Sequence, residues 1–125
     1  AYATGPWTVV ATEEFEEWMM SLTNQQRDAV EDRLDLLRLR GPALQRPIVG
    51  QITNSRHKNM KELRCTSGGH LRVLFMFMPN QEGVMLFGGS KSGERGDPKW
   101  NDWYRHAIPI ADDLADREIS KRRKP

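Results

Sequence analysis

The chain has 125 residues, 38% hydrophobic and 29% charged, with 19 Lys/Arg against 17 Asp/Glu for a formal net charge of +2. That is enough for one domain with one modest core, and no apolar run reaches the roughly 18 residues that a membrane-spanning helix needs. The single cysteine, Cys65, excludes an intrachain disulfide and any metal site built on cysteines alone. The N-terminus shows no basic-then-apolar secretory pattern, so the expected compartment is the cytoplasm.

Charge is unevenly spread. Residues 1–45 carry a net −4, residues 46–95 a net +5 and residues 96–125 a net +1. A basic middle segment can mark a surface for a polyanion such as RNA or DNA. It is equally what basic strands balancing acidic helices would give.

In chain order, Trp7 to Ala11 is a short β-branched run that reads as a first strand. Thr12 offers an N-cap, and the glutamates that follow suit a helix N-terminus. Phe15, Trp18, Met19 and Leu22 then fall on one helical face. Thr23 with Gln26 matches a capping box and starts a second helix, whose inner stripe is Val30, Leu34 and Leu37. Gly41-Pro42 ends it. Residues 42–59 read as an irregular connection containing Arg46 and the cluster Arg56-His57-Lys58.

Three runs of strand formers follow between Met60 and Gly93, separated by turns at Ser67 to Gly69 and Pro79 to Gly83. Arg72 is the one charge inside the middle run, where a guanidinium must be paired, exposed or functional. A four-residue loop at Pro79 to Glu82 would set Arg72 opposite Gly89 and bring His70 and Lys91 nearby. A three-residue loop at Ser67 to Gly69 would add Arg64 directly opposite Arg72, whereas a two-residue loop would turn Arg64 to the other face. Glycines beside these cations leave room for a ligand backbone to approach. The competing reading pairs Arg72 with Glu62 or with an acid of the last helix. That helix should start near Asp97 or Pro98 and break near Pro109. His57 and His106 are candidate acid–base groups by their near-neutral titration. Tyr104 reads as core, and Cys65 as a small packing residue. A single domain over residues 1–120 is expected, with 121–125 as a disordered basic tail.

The order helix, helix, three strands, helix resembles the RelE superfamily of bacterial toxins, in its phage-derived, HigB-like branch. Lys61-Glu62-Leu63-Arg64 is similar to that branch's strand carrying the Glu-Leu-Arg word, and Leu71-Arg72-Val73-Leu74-Phe75 to the arginine-containing strand after it. Val84 to Lys91 is similar to its third strand and glycine-containing exit, with Lys91 at a lysine position, and Tyr104 to Leu114 to its closing helical region. The likeness covers about residues 7–118. It implies an α+β fold: a small curved antiparallel sheet with an N-terminal helical hairpin, a C-terminal helix, and helices on one face.

The resemblance also implies a toxin of a type II toxin–antitoxin module that cleaves messenger RNA on the ribosome without a metal or other cofactor. Its partners would be the ribosome with its mRNA, and a cognate antitoxin of the helix-turn-helix DNA-binding kind, with no membrane involved. By this carry-over Arg64, Arg72 and Lys91 stabilise the transition state, while Arg46, Arg56, His57, Lys58 and Lys61 hold RNA phosphates. Two departures stand out: no tyrosine or histidine matches on the final strand, and Ser92 replaces a second lysine. The general acid and base therefore stay unassigned. A DNA gyrase inhibitor of the same fold and a non-catalytic phage-derived binding module remain open.

Overall fold

The computed structural model describes residues 5–66, 70–90 and 99–123. Strand β1 (Thr8–Ala11) leads into α1 (Glu13–Ser21) and α2 (Asn24–Arg40), and a 3-10 turn (Gly41–Ala43) leads to β2 (Val49–Gln51). Strands β3 (Lys61–Cys65), β4 (Leu71–Met78) and β5 (Glu82–Ser90) follow, and α3 (Lys99–Arg123) closes the described chain. The five strands form one sheet in the order β1-β5-β4-β3-β2. Strands β2 to β5 are antiparallel, and β1 adds a parallel edge against β5. The α+β architecture expected from the sequence is present.

The N-terminal caps form where the sequence places them. Thr12 Oγ1 accepts from the Phe15 amide and donates to the Leu86 carbonyl, so one hydroxyl caps α1 and ties it to β5. Thr23 and Gln26 make the reciprocal capping box of α2. Phe15, Met19, Val30, Leu34 and Leu37 pack with Leu63, Val73 and Phe75 on one sheet face. On the other face Leu74, Met76 and Leu86 pack against Ala107, Ile108, Ala111, Leu114 and Ala115 of α3. Helices therefore cover both faces, not one. This is why β4 reads as a continuous apolar run: with both faces buried, alternation disappears.

Several expectations are corrected. Strand β2 lies inside the stretch read as irregular; three residues with a central glycine are too short to show a period of two. Helix α3 does not break at Pro109. Buried side chains on both sides of the proline hold the helix together despite the bond lost to the Arg105 carbonyl. Lys121, Arg122 and Arg123, placed by the sequence in a disordered tail, are its last turn. Arg122 reaches Glu82 at 2.9 Å and Glu118 at 3.2 Å, and these pairs anchor that turn. Residues 124–125 lie outside the described residues.

The β4–β5 hairpin is also tighter than expected. Met78 opposes Glu82, so the loop has three residues, Pro79 to Gln81, with Asn80 and Gln81 at φ of 68° and 57°. A register shift between Leu74 and Phe75 then inserts one extra residue into β5. The shorter loop and the bulge cancel, and Arg72 still faces Gly89.

Candidate functional site

The register of β3 and β4 sets Arg64 directly opposite Arg72, the pairing that a longer β3–β4 connection requires. Both lie on the face covered by α3, together with Glu62. Arg72 is 6% exposed. Its Nη1 donates to the Leu71 carbonyl at 3.0 Å, while its buried Nε finds no partner among the described residues. Arg64 donates through Nε to Glu62 Oε1 at 2.8 Å. The second oxygen of Glu62 accepts from the Tyr104 hydroxyl at 2.5 Å. Burial first, and the adjacent Glu62 carboxylate next, push the Tyr104 phenol up to about 12, with Arg72 pulling the other way. The result is a connected row of Arg64, Glu62, Tyr104 and Arg72.

The row holds two guanidiniums and one buried carboxylate, which pairs with Arg64, so it keeps a net positive charge. Like charges directly opposed across a strand pair repel unless an anion compensates them. The orphan Nε adds an unmet donor, which ordinarily costs about 1–3 kcal/mol when buried. Next to the row, Gln51, Thr53, Asn54, Glu62, Asn101 and Tyr104 line a shallow groove of about 270 Å³.

The glycines beside the cations hold tryptophans, not a ligand backbone. A Cβ on Gly89 would lie 2.1 Å from Trp103 Nε1 above one face, and a Cβ on Gly88 2.2 Å from the Trp18 ring on the other. Trp103 and Tyr104 stand edge to face at 5.2 Å, with Trp103 over Gly89, the residue opposite Arg72. The sequence reading offered Glu62 only as a partner for Arg72 and read Tyr104 as core; the structure instead joins Glu62 to Arg64 and Tyr104. The available signal was the same-face alternation of Glu62 with Arg64, once the β3 register is set.

The other candidate cations scatter. Lys91 lies outside the described residues. Lys61 falls on the α1/α2 face of β3, away from Arg64 and Arg72. Arg56 and His57 are held by α3: Arg56 reaches Asp116 at 2.5 Å and Asp113 at 3.2 Å, and His57 Nε2 meets Asp116 at 2.8 Å. Asp112 fastens the same loop, accepting from Ser55 Oγ and the Arg56 amide. Hydrogen bonds from Arg56 and then His57 hold Asp116 below the usual carboxylate range. Arg46 and Lys58 are exposed. His106 is exposed on α3. Cys65 is buried, and burial raises its thiol to about 11 against the pull of Arg33 and Arg72, which suits packing rather than chemistry.

Residues 17–116 match the model of the phage-derived protein Gp49-like family (DUF891). A Mycobacterium tuberculosis H37Rv protein bearing the name toxin HigB3 is 37% identical over 112 residues, spanning 90% of this chain and 93% of its own. HigB2 of the same organism is 37% identical over 110 residues, 86% of this chain but 52% of its own length. The free-state structure of a double arginine-to-alanine mutant of the E. coli toxin RelE superposes with a TM-score of 0.55 at 9% identity, covering 81% of this chain and 97% of that one. At that identity the likeness to RelE speaks for the fold. The family match and the two relatives carry the rest: the chain belongs to the phage-derived Gp49-like family and is a HigB-like toxin with the fold seen in RelE.

Proposed function

We propose that the chain is a ribosome-dependent endoribonuclease that inhibits translation by cutting mRNA, and that its cognate antitoxin is a helix-turn-helix DNA-binding protein. The observation behind this reading is the opposed pair Arg64 and Arg72, with the one carboxylate, Glu62, paired to Arg64 and a buried Arg72 donor left over. In the reaction proposed, the 2′-oxygen bonds to the adjacent phosphorus and the bond to the 5′-oxygen breaks. The products are a 2′,3′-cyclic phosphate and a free 5′-hydroxyl. The 2′-hydroxyl proton leaves to a base and a proton reaches the 5′-oxygen.

The guanidiniums act on the charge that builds on the non-bridging oxygens. Donors already oriented in a site of low dielectric stabilise that charge more than water does. Arg64 and Arg72 take this role, with Lys91 assigned beside them by resemblance. Exposed Arg46 and Lys58, with Lys61, would hold phosphates farther along the message. Arg56 and His57 would do so only by leaving their carboxylates on α3, so their contribution is the smaller. Tyr104 stays a phenol at neutral pH and can donate a hydrogen bond but not accept a proton.

Purified ribosomes programmed with a defined message test the reading. Cleavage in the A-site codon by the wild-type chain, absent on naked RNA and lost in Arg72→Met, is the expected result. Intact message beside a DNA-damage response in cells would point instead to gyrase.

A further inference from the structure

Arg72 is 6% exposed and Glu62 is buried, which leaves little of either for an RNA phosphate to touch while α3 lies as it does. The cover comes from the early turns of that helix. Trp103 sits over Gly89, the residue opposite Arg72. The Tyr104 hydroxyl bonds to Glu62 at 2.5 Å, close enough to Arg72 to feel its charge. A catalytic cation under such a cover needs the cover to move.

Helix α3 is fastened unevenly. Beyond Pro109, Asp112 accepts from Ser55 Oγ and the Arg56 amide, and Asp116 pairs with Arg56 and His57. Arg117 reaches Glu14 at 2.8 Å and Arg122 reaches Glu82 at 2.9 Å. Before Pro109 the ion pair among the described residues is Arg105–Asp102 at 3.8 Å, which is exposed and ties the helix to itself. Asn101, Asp102, Arg105 and His106 are exposed, so an outward swing there uncovers little apolar surface beyond Trp103 and Tyr104. Pro109 stands exposed between the two parts. It has no amide hydrogen for the Arg105 carbonyl, and a helix bends most readily where that bond is missing.

The shallow groove beside the arginine row has a wall in each part. Gln51, Thr53 and Asn54 precede the Ser55-Arg56 segment that Asp112 holds from beyond the proline, whereas Asn101 and Tyr104 lie before it. Moving the second wall outward widens the groove and opens a path to Glu62, Arg64 and Arg72. We infer that Asn101 to His106 form a lid hinged at Pro109, which opens to admit a single-stranded RNA backbone to Arg72 and closes over it. This rests on the arginine row acting on RNA. Closure returns Arg72 to the low dielectric in which it stabilises charge best.

The test compares wild type with Pro109→Ala and Pro109→Gly. Alanine restores the helical amide in a strong helix former; glycine restores the amide but leaves the backbone loose. Amide hydrogen exchange on the purified chain reads the lid. Residues 103–106 should exchange on the order of tenfold or more faster than residues 112–122 in wild type. Pro109→Ala should slow that exchange, raise the urea midpoint, and lower the cleavage rate on programmed ribosomes by on the order of tenfold. A helix end that merely frays would not respond to position 109. Pro109→Gly should cut at nearer the wild-type rate. Equal exchange on the two sides of the proline, or exchange that Pro109→Ala leaves unchanged, overturns the inference. So does Pro109→Ala that exchanges slowly yet cuts at the wild-type rate, and so does Pro109→Gly that cuts as slowly as Pro109→Ala. A wild type that cuts no message counts against the nuclease reading, while the exchange pattern still decides the lid.

Discussion

Arg72 shows how a site can work against the stability of the fold that holds it. It sits 6% exposed, opposite another arginine, with its Nε unpartnered. Arg72→Met keeps the volume and removes both the repulsion and the orphan donor. It should leave the fold as stable or up to about 1 kcal/mol more stable in urea denaturation, while abolishing toxicity. Tyr104→Phe deletes a donor to buried Glu62 and should cost about 1–2 kcal/mol. It should also change the alkaline limb. The Tyr104 pKa is raised from 10.0 to about 12, so the stability it contributes is intact below pH 10 and lost as pH rises toward 12. Stability-versus-pH curves of wild type and Tyr104→Phe should therefore diverge least above pH 12. Gly50→Ala places a Cβ 2.6 Å from Arg64 Nη2, the far end of a flexible side chain. The fold should tolerate it within about 1 kcal/mol, and activity should fall because Arg64 is displaced.

At the scale of elements, the caps are the strongest local determinants. Thr12→Val removes the α1 cap and the bond to Leu86 together and should lower stability by about 2 kcal/mol in thermal or urea melts. Both caps, both helical stripes and the three main strands were legible because each has a local signature. What was illegible depended on the partner element. Strand β2 exists because β3 offers it an edge, and α3 runs through Pro109 because the sheet buries both flanks. Arg72 facing Gly89 was expected from a longer loop without a bulge; two offsetting departures produce it. The Arg64–Arg72 pairing was one of two open registers. Glu62 was weighed only as a partner for Arg72, and its bond to Tyr104 was unforeseen, because a helix-borne hydroxyl meeting a strand carboxylate 42 residues away has no sequence period.

Across the whole molecule, the sheet separates two chemistries. One face holds arginines under the first turns of α3; the other holds an acidic, apolar groove between α1 and α2. The C-terminal end of α3 is fixed electrostatically. Glu14 is held low chiefly by its hydrogen bond to Arg117, and Glu118 is held low by Lys121, Arg122 and Arg117 although burial pushes it up. A depressed carboxylate contributes stability above its unfolded value and loses it as pH falls. The urea midpoint should therefore hold near neutrality and decline once pH drops below about 4.5, and Glu118→Gln should flatten that decline. The central claim is that the opposed arginine pair acts on message in the translating ribosome. Its most direct measurement is primer extension on abundant transcripts after induced expression of wild type and Arg72→Met at matched protein levels. In-frame cuts that require translation and vanish in the variant are the predicted result. Identical cuts from both proteins, or growth arrest with no cuts from either, would contradict it.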